Sequence, residues 1–123
     1  MAEVVAIRHI KNFMDLHSNH REGLKAWLAI VKSSKWEKPQ DIVETFGAKA
    51  VDLLGKKDTK KSTKSSERVV IDIKGNNIRV IAKYQFFDDN RESFLYLKWI
   101  GTHAEYDKLC KSGNQYDIDL FNK

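Results

Sequence analysis

The stretch Arg68–Ile100, RVVIDIKGNNIRVIAKYQFFDDNRESFLYLKWI, decides the fold. It opens with a β-branched run, RVVIDI, breaks at KGNN, resumes as IRVIAKYQFF, breaks again at DDNRE and resumes as SFLYLKWI. Gly, Asn and Asp clusters between runs rich in Val, Ile, Phe and Tyr predict three strands joined by two short turns, an antiparallel meander. Successive side chains of a strand point to opposite faces. Alternation therefore places Val69, Ile71 and Ile73, then Val80, Ala82, Tyr84 and Phe86, then Leu95, Leu97 and Trp99 on one face. The other face receives Arg68, Asp72 and Lys74, then Arg79, Ile81 and Lys83, then Tyr96 and Lys98. The first face needs a cover. The second is basic with an aromatic in it, which suits phosphate contacts and base stacking, and equally suits a solvated outer face.

The cover is upstream. EVVAI is a short first strand. From Arg8 to His17, Ile10, Phe13, Met14 and Leu16 mark a helix, which ends in the polar break HSNHRE. Ser18 or Asn19 is placed to cap a second helix. In that helix Leu24, Trp27, Leu28 and Val31 fall at i, i+3, i+4 and i+7, an apolar stripe that makes a hairpin with the first. KPQDIVETFG has Pro39 near a helix start and Gly47 just past its end, a short third helix. Each helix has one apolar stripe, and together they cover one face of the sheet. The expected fold is α+β, with N-terminal helices packed on one face of a small antiparallel sheet and a short C-terminal helix. A single domain spans 1–123. Residues 55–67, GKKDTKKSTKSSE, read as a flexible Lys-rich loop, either solvated or an arm that touches RNA. Residues 111–123 form a tail whose Tyr116, Ile118, Leu120 and Phe121 dock on the body or on a partner.

Composition narrows the function classes. The chain has 123 residues and a formal charge of +5, which favours polyanionic partners. One cysteine, Cys110, excludes an internal disulfide and fits a reducing cytoplasm. No base accompanies it, so it is not read as a nucleophile. The opening residues lack the layout of a signal peptide, and no apolar run has the length of a membrane span. No Gly-rich phosphate loop or nucleophile elbow occurs. His17 and His20 are three apart, but no carboxylate or Cys cluster joins them. They read as surface residues, and no metal is expected.

The last strand runs into WIGTHAEYDK, Trp99–Lys108. Gly101 ends the strand, and Thr102 with Glu105 matches the S/T-x-x-E capping box. His103 is then the first helical residue and Tyr106 the fourth, projecting to similar sides. A helix start presents unpaired N–H groups to an anion, and an imidazole there can move a proton near neutral pH. A purely structural cap with an exposed histidine fits the same letters.

GTHAEYDK, preceded by VVIDIKGNNIRVIAKYQF and FLYLKWI, resembles the HigB toxin family of the RelE-like group. VVAIRHIKNF, LKAWLAIVKSSKW and KPQDIVETF are in the family's order and spacing, so the resemblance covers about residues 3 to 110. It implies the toxin of a type II toxin–antitoxin module, a cytoplasmic endoribonuclease (mRNA interferase) that cleaves mRNA, generally on the ribosome, without cofactor or metal. It implies a helix-turn-helix antitoxin of the HigA kind, through which alone the pair contacts operator DNA. Carried over by position, the catalytic candidates are Arg79, Lys83, His103 and Tyr106. Arg68, Lys74, Tyr96 and Lys98 are expected to bind RNA from their place on the basic face. Metal-free RNA cleavage needs a base for the 2′-OH, an acid for the departing 5′-oxygen and cations at the phosphorane. Histidine suits either proton role, and a forked arginine suits the non-bridging oxygens. A non-catalytic RNA- or ribosome-binding module and a poison of DNA gyrase are the alternatives on the same scaffold.

Overall fold

The computed structural model describes residues 2–54, 68–73, 78–86, 93–116 and 118–120. The Lys-rich segment 55–67, both hairpin turns with Lys74, and Phe121 lie outside the described residues. The elements are β1 (Ala2–Val5), α1 (Ile7–Leu16), α2 (Arg21–Ser33), α3 (Pro39–Phe46), β2 (Val51–Leu54), β3 (Arg68–Ile73), β4 (Ile78–Phe86), β5 (Ser93–Thr102) and α4 (His103–Lys111). The sheet order is β1-β5-β4-β3-β2. β3, β4 and β5 form the expected meander, pairing Asp72 with Arg79 and Arg79 with Gly101.

Two pairings go beyond the sequence reading. β1 lies parallel to β5, matching Ala2 with Ser93 and Val5 with Tyr96. β2, a four-residue strand, adds antiparallel to β3 at the other edge. Four residues are too few for a period of two to stand out. The first strand is also shorter than EVVAI. It stops at Val5 because Ala6 takes a left-handed conformation (φ 74°) and starts α1. A short 3-10 turn, Ser18–His20, joins α1 to α2. The residue before α2 is His20, and neither Ser18 nor Asn19 caps the helix with its side chain. Pro39 and Gly47 bracket α3 as read, and the Asp41 carboxylate accepts from the backbone N–H groups of Glu37 (2.8 Å) and Lys38 (3.3 Å).

The main core lies between the helices and one sheet face. Ile10, Leu24, Trp27, Val31 and Ile42 meet Val69, Ile71, Ile73, Val80, Ala82, Leu95 and Leu97, all buried. Trp99 is not among them. A β-bulge lies where Ile81 pairs with Trp99 and Ala82 with Leu97, so Lys98 has no opposite residue on β4. The extra residue inverts the alternation: Trp99 turns to the far face, and Ile100 takes the helix side in its place. A second, smaller core forms there, where Trp99, Ile81 and Val70 pack under Tyr106 and Leu109 of α4. The nominally basic face is therefore basic at its ends and apolar beneath α4.

Candidate active site

The site is built where three neighbouring strands meet the start of α4. Asp72 on β3 lies across from Arg79 on β4, and Arg79 lies across from Gly101 on β5. One residue beyond Thr102 the chain becomes α4. The capping box expected from THAE is formed: Glu105 N–H donates to Thr102 Oγ1 (3.2 Å), and Thr102 N–H donates to Glu105 Oε1 (2.8 Å). This fixes His103 at the first helical position, facing the strands. Glycine is required at 101 by close approach. A Cβ there would stand 2.6 Å from Trp99 Cζ2 and 2.7 Å from Glu105 Oε1, well inside van der Waals contact.

His103 Nε2 is 2.9 Å from Asp72 Oδ1 and 3.4 Å from Arg79 Nε. The two contacts make opposite demands. Asp72 needs a proton on Nε2, whereas the Arg79 N–H needs a lone pair there. The shorter, carboxylate-assisted contact wins, because 3.4 Å lies at the limit of a hydrogen bond. Nε2 therefore carries the proton and donates to Asp72. Nδ1 is left with the lone pair, the arrangement in which a carboxylate sets the tautomer of an imidazole. The pair is partly open to solvent, with side-chain exposures of 38% for His103 and 32% for Asp72.

Arg79 is held from below. Its guanidinium carbon lies 4.8 Å from the centroid of the Tyr106 ring, a cation–π contact. The Tyr106 ring in turn leans on Trp99, 6.0 Å away. Tyr106 is 7% exposed. Burial, then the neighbouring Cys110 thiol, push its phenol well above the ordinary tyrosine range, and the nearby Arg79 charge only partly opposes them. The face of its ring is a platform for the Arg79 guanidinium.

The remaining candidates lie along the same face, away from this junction. Lys83 is four residues along β4 from Arg79, about 13 Å at the rise of a strand, and is exposed. With Tyr96 and Lys98 it lines a groove of about 610 Å³, completed by Tyr84, Gln85 and Phe86. Tyr96 donates its hydroxyl hydrogen to Gln85 Oε1 at 2.9 Å. Arg68 is buried (7% exposed) and donates from Nη1 to the Gln115 carbonyl at 3.1 Å. Lys98 donates to Asp119 Oδ2 at 2.9 Å. The structure thus brings Arg79, His103 and Tyr106 together, sets Lys83, Tyr96 and Lys98 at a second location, and places Arg68 beneath the C-terminal segment.

Asp72 is the residue that sequence reasoning misses. Alternation puts it on the correct face but gives it no task. The available signal is an acid on an otherwise basic face, a hairpin away from Arg79 and in register with it. Among the described residues, no group of three or more His, Cys, Asp or Glu side chains is arranged to hold a metal ion. No helix among them is long and apolar enough to cross a membrane.

A family model described as HigB_toxin, the RelE-like toxic component of a toxin–antitoxin system, matches residues 20–109, well over half of the chain. No curated protein matches it.

Proposed function

The chain belongs to the HigB family of RelE-like toxins, so it is the toxic component of a toxin–antitoxin system and has an antitoxin partner; from this premise we propose that it is an endoribonuclease cleaving mRNA in the cytoplasm, on the ribosome. The observation that carries the proposal is the junction of Asp72, His103 and Arg79, an oriented imidazole beside a fixed guanidinium, on a basic sheet face.

The reaction is intramolecular. The ribose 2′-oxygen attacks the adjacent phosphorus and the bond to the 5′-oxygen breaks. The products are a 2′,3′-cyclic phosphate and a 5′-hydroxyl. His103 Nδ1 takes the 2′-OH proton, or gives one to the leaving 5′-oxygen. In either role the charged imidazolium is stabilised by Asp72. Arg79 presents its two Nη groups to the non-bridging oxygens, whose negative charge grows in the phosphorane. Tyr106 is a positioning residue that holds Arg79. Lys83, Tyr96 and Lys98 line the path of the flanking nucleotides, with Lys83 and Lys98 toward phosphates and Tyr96 toward a base. Lys74 is assigned to RNA binding from its place in the sequence alone. The partner is a helix-turn-helix antitoxin of the HigA kind, which alone carries the pair to operator DNA.

Single-turnover cleavage of programmed ribosomes tests this reading. His103→Gln should remain folded and retain RNA affinity while losing turnover by two orders of magnitude or more, the typical contribution of general acid–base catalysis at roughly 100-fold upward. Cleavage by His103→Gln at the wild-type rate would make His103 only the first residue of a capped helix.

A further inference from the structure

The tail is an element of the basic face that the proposed reaction does not use. After α4 the chain turns through Ser112 and Gly113, forms a 3-10 turn at Asn114–Tyr116 and crosses back over β5. Polar contacts with the sheet hold it. The Gln115 carbonyl accepts from Arg68 Nη1 (3.1 Å), the Lys98 carbonyl accepts from the Leu120 N–H (3.0 Å), and Asp119 Oδ2 accepts from Lys98 Nζ (2.9 Å). Two basic residues of the RNA face are thereby engaged by the protein itself. The Lys98–Asp119 pair is largely shielded, with side-chain exposures of 17% and 23%.

The hold is incomplete. Asp119 Oδ1 and Gln115 Oε1 are buried without a hydrogen-bond partner among the described residues. A buried acceptor left unsatisfied is unfavourable. The apolar anchor is small: Ile118 packs against the second core, whereas Leu120 is 58% exposed. An ammonium makes no distinction of shape between carboxylate and phosphate oxygens, since lysine acts as a compact point charge. Lys98 also borders the groove that holds Lys83 and Tyr96. A carboxylate is thus parked on a lysine, beside an open groove, by a segment with a small apolar anchor.

We propose that residues 114–116 and 118–120 form an intramolecular strap in which the Asp119 carboxylate occupies the place on Lys98 that an RNA phosphate takes, so that RNA binding displaces it. This rests on the reading of the basic face as the RNA-binding face. The strap lowers affinity for RNA in the free protein, and its release adds one phosphate contact.

The test is binding of a fluorescent single-stranded oligonucleotide, fully 2′-O-methylated so that no cleavage occurs. It is titrated over a range of salt against the full-length wild type, Asp119→Ala, Lys98→Ala and the double variant. Asp119→Ala should bind about 3- to 10-fold tighter near 0.1 M salt, with a salt slope steeper by about 0.7, the value for one added phosphate contact on a single strand. In the Lys98→Ala background the gain should vanish. If Asp119→Ala unfolds, Asp119→Asn, which keeps size and removes charge, is judged by the same criteria. Unchanged affinity, or a gain that persists without Lys98, overturns the strap and leaves the RNA-face reading standing. Absence of RNA binding in every variant overturns both.

Discussion

Replacing Asp72 by asparagine isolates the charge behind His103. The amide oxygen of Asn still accepts from Nε2–H at the 2.9 Å position, so the ring keeps its orientation and tautomer while the negative charge is lost. Two unit charges about 4 Å apart interact by about 4 kcal/mol at an effective dielectric constant near 20. Both partners here are about one-third exposed. Solvent screening reduces the figure to about 1–2 kcal/mol, which is a loss of roughly 5- to 30-fold in the rate of a step that passes through the imidazolium. Asp72→Ala loses the orientation as well and should be slower still. The assay is single-turnover cleavage with enzyme in excess, beside affinity for an uncleavable RNA. Turnover should fall while affinity holds or rises, because the variant removes an acid from a basic face. Cleavage by Asp72→Asn at the wild-type rate would mean that the Asp72 charge does not assist the step and that Asp72 is only a surface partner of His103.

Arg79→Ala should slow cleavage by about 10- to 1000-fold, on the order of 1.4–4 kcal/mol of transition-state stabilisation, with the melting temperature nearly unchanged; a parallel loss of both would make Arg79 structural. Tyr106→Phe keeps the ring beneath Arg79 and should cleave within about threefold of wild type, whereas Tyr106→Leu removes the cation–π platform, worth about 0.5–2 kcal/mol, and should cleave more slowly; a severe loss in the Phe variant would restore a proton role to the hydroxyl. Gly101→Ala forces a Cβ against the Trp99 ring and the Glu105 carboxylate, and should cost about 1–3 kcal/mol of stability by thermal unfolding; Thr102→Ala should cost about 0.5–2 kcal/mol through the cap alone.

The parts of the fold with strong local grammar are legible in the letters. Turn clusters between β-branched runs give the meander, 3.6-residue stripes give the helices, and Thr102 with Glu105 gives the start of α4. Other features are not legible. The parallel docking of β1 beside β5 depends on contacts about 90 residues apart in sequence, which no local pattern encodes. The bulge at Lys98 adds one residue to a strand whose letters alternate smoothly, so alternation assigns Trp99 to the helix-covered core, whereas it belongs to the smaller one beneath α4. The site is half legible for the same reason. Arg79, His103 and Tyr106 stand out by type and position, and they do converge. The burial of Tyr106 is not legible, because it depends on the bulge that brings Trp99 under α4. Asp72 is hidden by its sign, since a search for a basic face passes over an acid. The engagement of Arg68 and Lys98 by the tail is invisible because it needs a chain reversal through Gly113 (φ 75°).

Mapping RNA 5′ ends in cells after brief induction asks whether this toxin cuts messenger RNA with His103 as its proton-moving group. Wild-type protein should generate new 5′-hydroxyl ends within the coding regions of translated messages, and His103→Gln, expressed to the same level and folded, should generate none. Growth arrest with messages intact would mean that the toxin acts on another target, and the same new ends in the His103→Gln cells would mean that His103 moves no proton.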